Sequence, residues 1–418
     1  MSRYLYIAAL VIAGEMIFGL PFHTSRFFRP TLLEVFGFTN TQLGDLFAVY
    51  GVTAMVSYFP GGAIADRFSA RFLLTASLVA TGCGGLYMAT IPGAKQMAVL
   101  YGFWGITTIF LFWGALIRAT REWGGESSQG AAFGILEAGR GIAAAVFAVF
   151  LVAVLAAHLP DDATLATDAE RVAGMRAIIL AYSAVAFLVG AFAWFVIPYS
   201  GEVASTRRNL LANMVLVVRR PVIWAQAAII VCAYCGYKGA DYYSLYAVEV
   251  LGMDEVQGAR LASYGAYVRP VAALTAGFIA DRFDATRSIG VAFILLAFVY
   301  TLLSVLLPGE AGLKLIYANL FVSLFAVFAI RGIYFALLQE TRTPRHVTGA
   351  AVGMVSLLGY TPEIFFAPIA GRILDATPGA GGHHNLFLFL AAIAACGVLV
   401  VAWLLWLERN KSGRTAVS

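Results

Sequence analysis

Long apolar runs separated by short polar breaks fill this chain from end to end. A helix needs about 20 residues to cross the hydrocarbon of a bilayer, and runs of that size recur throughout. Reading them between charged residues and Gly/Pro breaks predicts twelve spans, near residues 4–22, 43–65, 72–92, 98–118, 130–158, 172–198, 220–248, 258–280, 288–307, 313–339, 347–371 and 385–407. The first run is read as a transmembrane helix rather than a cleaved leader, because eleven more follow it without a clear small-residue cleavage site. It is free to run on past Arg26. The longest polar stretch between spans is 201–219, which divides the chain into an N-terminal six-helix bundle over 1–200 and a C-terminal one over 220–418.

Composition supports the same reading. The 418 residues are 61% hydrophobic and 12% charged. A soluble domain is nearer half apolar and a quarter charged, so an ordinary cytosolic protein is excluded, as is a disordered, collagen-like or nucleic-acid-binding chain. The net charge of +5 comes from Lys and Arg at the predicted helix ends. With both termini in the cytoplasm, inside-facing segments hold sixteen Lys and Arg against eight outside, as the positive-inside rule requires. Four cysteines lie inside apolar runs and supply no disulfide framework; Cys232 and Cys235 read as small packing residues ahead of a redox or zinc pair.

The two halves repeat each other. Gly62-Ala63-Ile64-Ala65-Asp66-Arg67-Phe68 recurs as Gly277-Phe278-Ile279-Ala280-Asp281-Arg282-Phe283, six identities in seven at an offset of 215, and Gly130–Gly134 is echoed at Gly349–Gly353. Two parallel-related six-helix halves are a known transporter plan.

Charge inside hydrocarbon is costly, so its placement carries information. Spans three, six, nine and twelve have no charged residue in their interiors. The others carry Glu15, Glu137, Arg140, Lys238, Asp241, Arg269, Arg331 and Glu363. A period of three fits a central polar cavity with every third helix outside it. Glu137 and Arg140, spaced i,i+3, either neutralise each other or form a gate. Lys238 and Asp241 share that spacing among Tyr234, Tyr237, Tyr242 and Tyr243, which suits a polar cavity more than an aromatic belt. Arg269 and Arg331 have no acid within one turn, so each must meet an acid on another helix, water or a ligand anion; Glu15 and Glu363 are the candidate partners.

On these residues the chain resembles the major facilitator superfamily over its whole length. Gly62-x-x-x-Asp66-Arg67-x-x-x-Arg71 is similar to that family's loop motif between helices two and three, with its echo at Asp281 and Arg282 between helices eight and nine; Ser69 stands where Gly is usual. The resemblance implies an all-α fold of twelve transmembrane helices in two pseudo-symmetric bundles. It also implies that Asp66, Arg67, Arg71, Asp281 and Arg282 are gating residues. A looser similarity, in Arg26 through Gly44 and in Lys238-Gly239-x-Asp241-Tyr242, is to organophosphate antiporters and organic-anion symporters. There one cation on each of helices one and seven binds an anion, and the matching positions here are Arg26 and Lys238.

The expectation is a secondary transporter of a small anionic solute working by alternating access. Substrate contact falls to Arg26, Tyr237, Lys238, Asp241, Arg269 and Arg331, proton coupling to Glu15, Asp241 and Glu363, and gating also to Glu137 and Arg140. The alternative is a proton-coupled exporter of hydrophobic or cationic compounds using Glu15 and Asp241, against which Gly139-Arg140-Gly141 replaces the Gly-Pro pattern of antiporters in span five. No HExxH, GxSxG or P-loop occurs, and the histidines sit at membrane edges, so an enzyme, a metal or a cofactor is not expected. The expected setting is a monomer in a bacterial inner membrane, whose partners are the lipid bilayer, the solute and protons, not nucleic acid.

Overall fold

The computed structural model describes residues 3–125, 129–199, 216–337 and 348–415. Among these, the chain is helical with no strand. The helices are α1 (Arg3–Phe27), α2 (Asn40–Arg67), α3 (Ala70–Met88), α4 (Ala94–Gly124), α5 (Gln129–Ala156), α6 (Asp168–Val196), α7 (Pro221–Glu249), α8 (Glu255–Gly265 with Val268–Phe283), α9 (Ala285–Leu303), α10 (Glu310–Ile333), α11 (Thr348–Gly359 with Pro362–Ala376) and α12 (Ala380–Thr415). Nine stretches of described residues are long and apolar enough to cross a bilayer, or ten with α2, bent near Pro60. The other two expected spans are present as α3, which begins beside Arg71, and α8, which breaks at Ala266–Tyr267 and carries Arg260 and Arg269. Large apolar side chains such as Val99, Leu188, Phe195 and Leu399 are exposed on the helices, as a lipid-facing surface requires.

Three local devices position the charged residues. In α1 Pro21 has no N–H to give, and the segment Gly19–His23 winds as a π-turn, with the Phe22 and His23 amides both donating to the Phe18 carbonyl. The helix therefore continues to Phe27 instead of stopping near residue 22, and the turn leaves His23 buried. At α2 a capping box between Thr39 and Gln42 starts the helix after Gly37, whose left-handed φ of 63° ends the short helix Arg29–Phe36. In α11, Pro362 begins the second segment, which places Glu363 in its first turn.

The chain forms two compact units. The first takes in Met1–Ser205, Asp241–Pro270 and Glu363–Ala376; the second takes in Thr206–Ala240, Val271–Pro362 and Thr377–Ser418. Of the expected linker 201–219, only 216–219 are among the described residues. The first unit packs around Leu20, Phe22, Phe47, Tyr101, Trp104 and Tyr182 toward one end and around Leu10, Leu74, Phe112 and Leu116 toward the other. In the second, the Tyr300 ring stacks on Phe387, and Gln226 donates its side-chain amide to the Leu337 carbonyl at 2.9 Å.

Candidate functional site

Within the first unit five polar groups converge: Glu15, His23 and Arg140 are buried, Arg269 is half-buried and Glu137 is exposed at the edge. Glu15 is 3% exposed. Its Oε2 accepts from Arg140 Nε at 3.0 Å, while its Oε1 lies 3.3 Å from His23 Nε2 and 3.5 Å from Arg269 Nη1. Glu137 closes the ring, accepting from Arg140 Nη1 at 2.6 Å and from Arg269 Nη2 at 2.8 Å. Two carboxylates thus meet two guanidinium groups, with a histidine on one of the shared oxygens. Glycines make room for the long cations. A Cβ on Gly14 would stand 3.3 Å from Arg140 Cδ, one on Gly141 3.2 Å from Arg269 Cδ, and one on Gly139 2.7 Å from Val11. The Gly139-Arg140-Gly141 sequence is thereby accounted for by packing.

At the end of this unit remote from the N-terminus, residues of the two sequence halves are joined. Arg26 forms a close ion pair with Asp241, and Ser244 Oγ donates to the Arg26 carbonyl at 2.9 Å. Arg171 holds Glu255 at 2.6 Å and Glu34 at 3.1 Å, and Thr31 donates to Glu255 at 2.7 Å. Burial, and then the nearby carboxylate of Glu255, push the Glu34 carboxyl above its ordinary value despite Arg171. Asp375 accepts from the Asn40 and Thr41 amides at 3.2 and 2.7 Å, satisfying two of the free N–H groups at the start of α2. Arg372 reaches Asp45 at 2.8 Å. Arg29, 1% exposed, donates to Asn40 Oδ1 and lies 4.1 Å over the Tyr242 ring. An open cleft of about 420 Å³ lies alongside, bordered by Pro30, Glu34, Leu245, Glu249 and Asp375.

The second unit holds a different kind of charged site. Arg331, in the last turn of α10, lies with its guanidinium carbon 3.8 Å from the centre of the Tyr237 ring and 5.3 Å from that of Tyr234. Tyr360 meets Tyr234 edge-on at 5.1 Å, and its hydroxyl is 3.3 Å from that of Tyr334. Among the described residues no carboxylate pairs with Arg331, and its buried Nη1 has no hydrogen-bond partner. Stacking on the phenol faces covers the plane of the guanidinium and leaves its N–H edge as the polar surface.

Lys238 is buried, 2% exposed. Glu363 is half-buried, its backbone against Gly51, whose Cβ would meet it at 2.7 Å. Asp66 and Arg67 are exposed at the end of α2, where Arg118 donates to the Ala65 and Phe68 carbonyls at 2.6 and 3.2 Å. Arg71 stacks 4.6 Å over Trp194. Arg282 is exposed, and the Asp281 side chain is outside the described residues. The thiols of Cys232 and Cys235 are free.

Sequence reasoning singled out Glu15, Glu137, Arg140 and Arg269 separately, and the fold gathers them into one network. It did not single out His23, Glu255 or Asp375. For His23 the available signal was the proline two residues before it, which marks a break in α1 that re-aims the following side chain. The partners of Glu255 and Asp375 lie 84 or more residues away along the chain and left no local pattern.

Comparison with known proteins bears on the whole chain. The model of the Major Facilitator Superfamily matches residues 9–367. The chain is 27% identical to Inner membrane protein YqcE of Escherichia coli, over 99% of this chain and 97% of that protein. It is 25% identical to the probable nitrate/nitrite antiporter NarK1 of Thermus thermophilus, over 93% of this chain and 87% of that one. A crystal structure of the nucleoside transporter NupG matches 97% of this chain and 99% of its own with a TM-score of 0.73 at 12% identity, a likeness of fold.

Proposed function

The chain belongs to the major facilitator superfamily, and from that premise we propose that it is a secondary active transporter of a small organic anion. The observation that carries this reading is Arg331. A half-buried cation with a fully covered Nη1 that faces phenol rings instead of a carboxylate is costly unless an anion joins it. A planar carboxylate presents two oxygens at the spacing of the guanidinium edge. Tyr237 beneath the guanidinium limits its rotation, so less order has to be imposed when the ligand arrives. A relative is named as a probable nitrate/nitrite antiporter, which supports an anionic solute.

In this reading residues 1–200 and 220–418 rock about the 201–219 linker, both termini are cytoplasmic, and the protein is a monomer in a bacterial inner membrane. The relative named an inner membrane protein supports that location. Opening the end remote from the N-terminus breaks the Arg171–Glu255, Arg372–Asp45 and Arg26–Asp241 pairs. Arg26 is then released for the anion, and Lys238, Tyr237 and Asp241 complete the substrate contacts. At the opposite end Asp66, Arg67, Arg71, Asp281 and Arg282 gate the closing loops. Protons supply the driving force, with Glu15, Asp241 and Glu363 as the acidic groups.

The test is a thermal-shift screen of purified protein against monocarboxylates, sugar phosphates, nitrate and lipophilic cations, followed by uptake into proteoliposomes with and without a pH gradient. An anion is expected to stabilise the wild type and not Arg331→Gln. Stabilisation by lipophilic cations alone would overturn the anion assignment.

A further inference from the structure

We propose that His23 is the proton-binding group of this carrier, and that it takes its proton when Arg269 withdraws from Glu15 and Glu137. The proposal rests on the transport reading above and assigns its coupling site to a residue not among the acids named there.

The geometry carries it. Arg269 and the His23 ring converge on the same oxygen, Oε1 of Glu15, at 3.5 and 3.3 Å. A carboxylate accepts, so His23 Nε2 carries the hydrogen and Nδ1 keeps its lone pair. That Nδ1 is buried with no hydrogen-bond partner among the described residues. The hydroxyl of Tyr182, whose ring lies 6.1 Å from the imidazole, is likewise buried without one. A buried imidazole with one nitrogen anchored and one vacant is built to accept a proton, and the π-turn Gly19–His23 sets it there.

The charges around it make that acceptance conditional. Facing His23 are Glu15 and Arg26 on its own helix, Glu137 and Arg140 from α5, Arg269 from α8 and Tyr182 from α6, with Asp241 of α7 on Arg26. Among these groups three carboxylates meet three guanidinium groups, so a charged imidazole would add a fourth positive charge beside Arg269 while all are in place. Arg269, however, belongs to the second sequence half, whereas Glu15, Glu137, Arg140 and His23 belong to the first. When the halves part at this end, Arg269 leaves and Glu15 keeps only Arg140. A proton from water then adds to the Nδ1 lone pair, and the imidazolium replaces the departed guanidinium on Glu15. Asp241 leaves in the same motion, but it frees Arg26 toward the opened aqueous end, where water screens it. Return of Arg269 expels the proton. The proton is therefore taken up in one state of the carrier and released in the other, which is the requirement for coupling.

The test is nitrogen-15 NMR of protein labelled on its histidines, of which there are five, with His23 identified by the signal lost in His23→Gln. Spectra cover roughly pH 5 to 8, the range in which imidazole titrates. In the wild type His23 is expected to stay neutral, and Arg269→Lys should behave alike. In Arg269→Gln the imidazolium should appear at a pH higher by about one unit or more, the size of effect of one neighbouring charge. Should Arg269→Gln fail to fold, Asp375→Asn, which loosens the joined end without touching the network, should produce the same signal. Neutral His23 throughout in both variants, or the same titration as in the wild type, would overturn the proposal. The measurement uses no substrate, so failure of the anion screen leaves its result standing, and failure here leaves the Arg331 assignment untouched.

Discussion

Arg140 and Arg331 are both guanidinium groups inside apolar helices, yet their surroundings differ in kind. Arg140 meets Glu15 and Glu137 at hydrogen-bond distance, and Arg269 shares the same two acids. Arg331 meets the faces of Tyr237 and Tyr234 and, among the described residues, no carboxylate. The first arrangement is complete within the protein and changes only when one member moves away. The second is incomplete among the described residues, and in the proposed function an outside anion completes it. A transporter needs both kinds of site, one that answers to conformation and one that answers to cargo.

The strongest way to break this contrast is at Arg331. Arg331→Gln is expected to abolish anion-dependent stabilisation and saturable uptake while leaving unfolding of the ligand-free protein unchanged or shifted upward, because it removes a half-buried charge that has no counter-ion among the described residues. Arg331→Lys, which keeps the charge but not the flat bidentate edge, should bind the same anion about tenfold more weakly or worse. Thermal unfolding with and without the anion reads both effects.

Glu15→Gln should have the opposite sign in the ligand-free protein. It leaves Arg140 and Arg269 short of an acid at a position 3% exposed, and breaking a buried pair of this kind costs about 3 kcal/mol. Loss of stability at Arg331→Gln together with none at Glu15→Gln would reverse the comparison. A smaller effect is expected at Gly141→Ala. Its Cβ would stand 3.2 Å from Arg269 Cδ, so the flexible arginine must shift by tenths of an ångström, at about 1 kcal/mol. Smallest of all is the response to salt. Raising ionic strength should weaken anion binding several-fold through screening of the incoming charge, yet leave ligand-free unfolding almost unmoved, since Glu15, His23 and Arg140 at the centre of the network are buried.

The positions of these residues within the membrane were legible before any coordinates. Apolar run length placed Glu15, Arg140, Arg269 and Arg331 inside spans, and the duplicated Gly62–Phe68 and Gly277–Phe283 segments disclosed the repeat. The i,i+3 spacing of Glu137 and Arg140 correctly marked a pair, because neighbours on one helix turn are fixed by the chain itself. Asp241 also pairs with Arg26, a partner on another helix that its spacing from Lys238 does not disclose. His23 read as one of the histidines at the membrane edges, and the π-turn brings it onto Glu15.

By itself the sequence determined the membrane setting, the helical class, the two-fold repeat and the set of charges held in apolar surroundings. These depend on the cost of dehydrating peptide and ionic groups, which is paid residue by residue along the chain. Only the tertiary structure decided which acid Arg26, Arg140, Arg171 and Arg269 each meet, and that among the described residues no carboxylate pairs with Arg331. Partnership between helices depends on rotation, register and the room left by glycines such as Gly14 and Gly141, and shifts of a few ångströms in those quantities leave no trace in hydropathy.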